Sequence, residues 1–391
     1  MRVLVVTRQF PNARDPSFAP FNRQQFGALG KLCHVDVLAS IPWFPGARLF
    51  ARWSAAGRLL GVPRQEHIEG LSVTHPRYAY LPRFGRIAGG ALYAASLAAE
   101  VLRRRGRYDV LLGSWAFPDG VGAVALARLL RVPAVIKVHG SDMNVLAKMP
   151  PVARNLHWAL PRARRVVAVS RPLGDAVASF GVPRDRIDIV PNGVDTDLFQ
   201  PRDRTEARAG LGHGADARRW LLYVGRLEET KGVLDLLEAF SLLAGRRSDV
   251  RLVTVGDGSA RAQVEREARS RLGDRVLVAG PRPFEEVPRW MAACEALVLP
   301  SWAEGTPNVI LEALACGRRV VATSVGGTPD VITGRELGEL VPAHRPDLLA
   351  DALGRAVDTP YSPAAVARAG SRGSWGESAR RLEASLQAAV A

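Results

Sequence analysis

A chain of 391 residues is long for one domain and comfortable for two, each able to bury a sizeable core. With 47% hydrophobic and 23% charged residues and no polar or repetitive tract, the composition excludes a disordered or fibrous protein. The net charge of +15 lies wholly in residues 1–195, which hold 27 Lys/Arg against 12 Asp/Glu. That imbalance leaves open a nucleic acid, an anionic membrane face, a phosphorylated substrate or mere genomic composition.

The opening run Met1-Arg2-Val3-Leu4-Val5-Val6-Thr7 is too short for a signal-peptide core and leads into polar residues. It predicts a first strand and a cytoplasmic protein. Residues 43–65 combine four arginines and four large aromatics with no acidic group. Trp43, Phe44, Arg48, Arg52, Trp53 and Arg58 are therefore candidates for reversible contact with an anionic membrane, unless the aromatics belong to the core. The longest uncharged segment, 87–99, falls well short of the ~20 residues a spanning helix needs. Apolar runs at 3–7, 35–40, 110–113, 134–138, 166–170 and 188–191 alternate with helical patterns. The alternation restarts at 220–225, 251–256, 276–279, 296–300 and 320–323, so the prediction is α/β with two parallel, helix-covered sheets. Pro191-Asn192-Gly193 and the polar run 200–214 mark the join, giving domains at 1–195 and 196–374 with a last helical pattern over 375–391. Cys33, Cys294 and Cys316 are odd in number and widely spaced, which predicts reduced thiols rather than disulfides or a metal site.

Several loops carry chemistry. His139, in Val138-His139-Gly140-Ser141-Asp142, stands just beyond a strand, where α/β sheets bind ligands, although a lone histidine can equally be structural. Asp142 is expected to position that loop. Leu221-Leu222-Tyr223-Val224-Gly225-Arg226 through Lys231-Gly232 reads as strand, tight loop and helix start. Gly225 lets backbone approach a ligand, and Arg226 and Lys231 offer a planar fork and a point charge suited to a diphosphate. Gly256-Asp257-Gly258 is no dinucleotide fingerprint, because the third glycine is absent. In 298–330, Thr306 is the expected N-cap and Pro307 the expected first helical residue. Glu304 then lies in the loop and Glu312 about five residues into the helix, roughly 7–8 Å along its axis, so the two carboxylates would meet different parts of one elongated ligand. Between them a helix N-terminus favours anions, and ordinary macrodipole pairing is the plainer alternative.

The run Pro300-Ser301-x-x-Glu304-Gly305, Glu312-Ala313-x-Ala315-Cys316-Gly317 and Val325-Gly326-Gly327-x-Pro329-Asp330 resembles the donor-site signature of retaining glycosyltransferases of the GT-B fold, family 4. The resemblance is dense in the second domain and sparse in the first. It implies two Rossmann-like domains facing a cleft, a terminal helix crossing back to the first, a nucleoside-diphosphate sugar on the second domain and an acceptor glycan or glycolipid on the first. No metal or other cofactor is implied, and no nucleic acid. Gly225, Arg226 and Lys231 match the family's diphosphate positions, and His139 matches the histidine that meets the donor sugar. Glu304 would hold that sugar and Glu312 the ribose hydroxyls. Gly305, Thr306 and Asn308 would help recognise the sugar, and Arg282 falls in the loop beside the base. One departure stands out: members often have a Gly-Gly loop after the first strand, and residues 9–22 hold no glycine. An epimerase or phosphorylase of the same fold is the alternative activity, and a basic nucleic-acid-binding protein the remoter one.

Overall fold

The computed structural model describes residues 1–16, 18–47, 49, 54–80, 89–371 and 373–391. Two compact units emerge, Met1–Asn192 with Trp375–Ala391, and Gly193–Ser374. In the first, ten strands form in chain order: β1 (Arg2–Thr7), β2 (His34–Ala39), β3 (Ile41–Trp43), β4 (Gln65–Ile68), β5 (Leu71–Thr74), β6 (Arg77–Ala79), β7 (Val110–Ser114), β8 (Ala134–Val138), β9 (Arg165–Ala168) and β10 (Ile187–Ile189). Eight of them make one sheet in the order β10-β9-β8-β7-β1-β2-β5-β4. All its pairings are parallel except β4 with β5. Strand β1 reads Val-Leu-Val-Val without polar alternation because both of its faces are covered. Leu4 and Val6 pack with Tyr93, Leu97 and Val124 on one face. On the other, Val3 and Val5 share a cluster with Phe26, Leu29, Ala379, Leu382 and Leu386. The last three belong to the terminal helix Trp375–Val390, whose apolar stripe completes the first unit. Each fully buried leucine there contributes about 1.5–3 kcal/mol.

The second unit is a six-stranded, wholly parallel sheet in the order β13-β12-β11-β14-β15-β16. Its strands are β11 (Arg219–Val224), β12 (Val250–Val255), β13 (Val276–Gly280), β14 (Ala296–Leu299), β15 (Arg319–Thr323) and β16 (Gly338–Val341). Five strands escape the apolar-run criterion. Gln65–Ile68, Leu71–Thr74 and Gly338–Val341 are four-residue strands interrupted by polar or glycine residues, and β3 and β6 are three-residue strands of a separate two-stranded sheet. The antiparallel edge strand β4 also departs from the expected all-parallel pattern, and its half-exposed Gln-Glu-His-Ile suits one wet face. Among the described residues no helix is long and apolar enough to cross a membrane.

Candidate functional site

Parallel sheets bind ligands beyond the carboxyl ends of their strands, where strand order reverses. In the second unit the reversal falls between β11 and β14. Loops 225–232 and 300–307 therefore stand side by side, and glycines seat the neighbouring turns. Gly232 has φ +65°, and a Cβ there would lie 2.0 Å from the Pro300 carbonyl oxygen. Gly326 has φ +54°, with Glu304 O at 1.8 Å from the same imagined carbon. Neither position can carry a side chain without moving backbone. Trp302 N–H donates to Thr230 O at 3.1 Å, tying the two loops directly.

This seating brings Lys231 and Glu304 together: Nζ donates to Oε1 at 2.7 Å, both side chains largely buried. Spacing alone could not reveal that pair across 73 residues. Arg226 is not part of it. Its guanidinium is mostly exposed and pairs with Glu228 at 2.7 Å, while its carbonyl accepts from the Tyr223 hydroxyl at 2.6 Å. Gly225 starts the loop, its N–H bonded to Val255 O at 3.0 Å. Gly305 O accepts from Gly327 N at 2.9 Å, and Thr306 follows in the same loop. The helix spans Asn308–Ala315 with Pro307 as N-cap in extended backbone, so it begins one residue later than expected and Thr306 does not cap it. A proline has no N–H to spare, and its ψ of 98° keeps it outside the helix. Arg282 lies beyond edge strand β13 and stacks over Trp290 at 5.5 Å, so its side chain is taken up by that indole rather than by the Lys231–Glu304 pair.

Glu312 sits in the second turn of that helix, and its carboxylate has no hydrogen-bond or ion-pair partner among the described residues. Burial pushes its carboxyl up to about 7 from an ordinary 4.5. The folded protein thus keeps a proton that the unfolded chain has lost, and the cost of ionising Glu312 accumulates between those two pH values and is complete above the higher. Glu312→Gln is expected to raise unfolding free energy by about 1–3 kcal/mol at pH 8 and to change it little at pH 4. Urea denaturation at the two pH values checks this; an equal change at both would mean that the carboxylate is already satisfied.

In the first unit the order reverses between β1 and β7, and a buried polar cluster occupies that point. His139 Nε2 lies 2.9 Å from Ser114 Oγ, which bonds Asn22 Oδ1 at 3.2 Å, and Asn22 Nδ2 donates to Gln9 O at 2.7 Å. Phe21 and Trp115 close on the ring at 5.0 and 5.6 Å between centroids. Burial and the neighbouring Lys137 hold the imidazole well below its usual range, so it is neutral at physiological pH. Asp142 positions the loop by accepting backbone N–H groups of Gly140 at 2.7 Å, Ala116 at 3.0 Å, and His139 and Met143 at 3.1 Å. Burial lifts its carboxyl above the usual range while those donors pull it back.

Sequence reasoning singled out only His139 and Asp142 here and missed their polar neighbours. Lys137 reads as an ordinary strand residue, yet it is fully buried, with its ammonium on Gln25 and burial driving it down to about 7. Gln25 continues to Ser378 Oγ at 2.8 Å, on the terminal helix. Arg8 pairs with buried Asp119 at 3.2 Å, and Asp119 also accepts from the Tyr93 hydroxyl at 2.9 Å. A charged residue inside an apolar run was the one available signal, and only Lys137 carried it. Of the proposed membrane contacts, Arg48, Arg52 and Trp53 lie outside the described residues. Trp43 is 38% exposed, Phe44 is half-buried, and Arg58 is an exposed residue on the wall of a cavity. Among the described residues no group of three His, Cys, Asp or Glu could hold a metal ion.

Comparison with known proteins places these loops in context. The family described as "Glycosyl transferases group 1" matches residues 218–359, and "Glycosyltransferase Family 4" matches residues 60–198. A D-inositol 3-phosphate glycosyltransferase of Pseudarthrobacter chlorophenolicus is 33% identical over 323 residues, covering 77% of this chain and 76% of that protein. The putative teichuronic acid biosynthesis glycosyltransferase TuaC of Bacillus subtilis is 28% identical over 368 residues, covering 91% and 89%. Among solved structures, HepE of Anabaena in complex with UDP superposes with a TM-score of 0.73 at 19% identity, over 99% of this chain and 100% of that one. Sucrose-phosphate synthase from Thermosynechococcus elongatus gives 0.71 at 21% identity, over 100% and 96%. These likenesses establish the GT-B fold.

Proposed function

The chain belongs to the group 1, family 4 glycosyltransferases, and from that premise we propose that it moves a sugar from a nucleoside diphosphate to an acceptor hydroxyl with retention of anomeric configuration and without a metal. The observation that carries this reading is the Lys231–Glu304 pair, set at the strand-order reversal ahead of the helix Asn308–Ala315. The glycosidic bond to the diphosphate breaks as the acceptor oxygen bonds the anomeric carbon from the same face, and the acceptor proton passes to the departing phosphate oxygen. Lys231 and Arg226 offset the charge that develops on the leaving group. Glu304 accepts hydrogen bonds from the sugar, and unpartnered Glu312 accepts from the ribose hydroxyls. The neutral His139 supplies a hydrogen bond to the donor sugar from the first unit. That HepE was solved with UDP and with UDP-glucose supports a nucleoside-diphosphate donor.

The test is transfer from a panel of nucleoside-diphosphate sugars, with the anomeric proton of the product read by NMR in the presence of excess chelator. An axial donor linkage is expected to yield an axial product at unchanged rate. An inverted product, or turnover abolished by chelator and restored by Mg²⁺ or Mn²⁺, would overturn the mechanism. Donor hydrolysis or epimerisation without transfer would favour the alternative activity. In its finer form the reading makes the acceptor lipid-linked, met at the cytoplasmic membrane face through residues 43–65, where Trp43 and Leu49 are exposed. Salt-sensitive co-sedimentation with anionic but not neutral vesicles checks that part.

A further inference from the structure

The first unit contains a cavity of about 450 Å³ that the chemistry above leaves unused. It opens beyond the carboxyl ends of β1, β2 and β5, the position at which α/β sheets take ligands, and its volume suits a monosaccharide-sized group. Three arginines, Arg8, Arg14 and Arg58, line it with a single carboxylate, Asp15. Arg8 is already neutralised by Asp119. Arg14 and Arg58 are not: both residues are exposed, line the cavity, and have no guanidinium hydrogen bond or ion pair among the described residues. Arg14 lies over Gly61, where a Cβ would come within 2.3 Å of its terminal nitrogen, so a glycine makes room for that side chain at the rim.

The cavity also shares a wall with the polar cluster. Gln9 lines it, and the Gln9 carbonyl receives Asn22 Nδ2, the first link of the hydrogen-bonded path through Ser114 to His139. A ligand seated here would rest on the loop whose other side orients His139.

We propose that this cavity is an acceptor subsite for a sugar or polyol bearing an anionic group, a phosphate or a carboxylate, held by Arg14 and Arg58. The inference rests on the glycosyltransferase reading, which makes the first unit the acceptor side. Two guanidiniums without carboxylate partners present forked donors that match either oxyanion, and a neutral acceptor offers them no charge-assisted hydrogen bond.

Calorimetric titration of the full chain tests it, with UDP at saturation so that the nucleotide site is filled. Glucose, glucose 6-phosphate and glucuronate share one ring in three charge states, and myo-inositol with its 1-phosphate gives a second ring. At least one anionic compound is expected to bind about tenfold or more tightly than its neutral parent. Arg14→Ala/Arg58→Ala should erase the difference, and the paired lysine variant should restore part of it, with thermal unfolding confirming that both fold. Preference for glucose 6-phosphate or inositol phosphate assigns a phosphate, and preference for glucuronate a carboxylate. Equal binding of charged and neutral compounds, absence of binding by every anionic one, or a preference that survives the double alanine variant overturns the proposal. UDP binding to the unmodified protein, measured first, reads the nucleotide-sugar assignment separately: its failure sinks that reading whatever the anions do.

Discussion

Alanine at both Arg226 and Lys231 is expected to lower kcat about a hundredfold or more while the protein stays folded. A departing nucleoside diphosphate gains negative charge in the transition state, and cations aimed at it are worth several kcal/mol in a site that excludes water. The two residues should contribute unequally. Lys231 is largely buried and already fixed by Glu304, so its ammonium needs no ordering when the donor arrives. Arg226 is mostly exposed and must leave Glu228 to reach a ligand, which spends part of its gain. Lys231→Ala alone should therefore account for most of the kinetic loss, and Arg226→Ala for a smaller one. Removing Lys231 also strands Glu304 without its cation, so Lys231→Ala/Glu304→Gln separates lost phosphate binding from a misplaced carboxylate. Steady-state kinetics on folded variants decides the matter, and near-normal turnover in the Arg226/Lys231 double variant would remove both from the site.

The parallel sheets were legible because strands buried on both faces are written as unbroken aliphatic runs, as in Val3-Leu4-Val5-Val6 and Val320-Val321. Where a strand has a wet face or only three or four residues, as in β3 to β6, local composition no longer separates it from a loop. The start of helix Asn308–Ala315 was misplaced by one residue for a related reason. Proline is favoured at the first helical position, yet Pro307 serves as the cap, and only its backbone angles distinguish the two.

Within the candidate site, the residues that were readable are those whose type is unusual in place: a histidine beyond a strand, glutamates around a helix start, a Gly-Arg loop. What was not readable is who meets whom. Lys231 with Glu304, Arg8 with Asp119, and Lys137 with Gln25 join residues 73 to 112 positions apart. Such pairs follow from strand order, through the side-by-side loops after β11 and β14 and the reversal at β1 and β7. One arrangement also changes the chemistry expected of its members. In the proposed reaction Glu304 would start as the partner of a cation and donor binding would share or exchange that contact, while Glu312 has no hydrogen-bond or ion-pair partner among the described residues.

His139→Ala is expected to lower kcat/KM by about a hundredfold without changing the shape of the pH–rate profile. Its imidazole is buried, anchored at Nε2 on Ser114 and packed between Phe21 and Trp115, so the ring is oriented before any ligand arrives. Removing a positioned hydrogen-bonding group from a site of this kind costs about 10²–10³ in rate. Burial and Lys137 hold His139 well below its ordinary 6.5, so no titration limb at that ordinary value is expected from it. The sign for stability is the converse: the unfolded chain takes up a proton on falling through the ordinary value and the buried ring does not, so His139 favours unfolding at acid pH. Burial drives Lys137 down to about 7, but its proton is used in no step assigned to the reaction. Profiles of kcat/KM from pH 5 to 9 for both proteins check the shape. A limb near 6.5 that vanishes with His139 would show a charged imidazole in the reaction and overturn its assignment as a neutral hydrogen-bond partner.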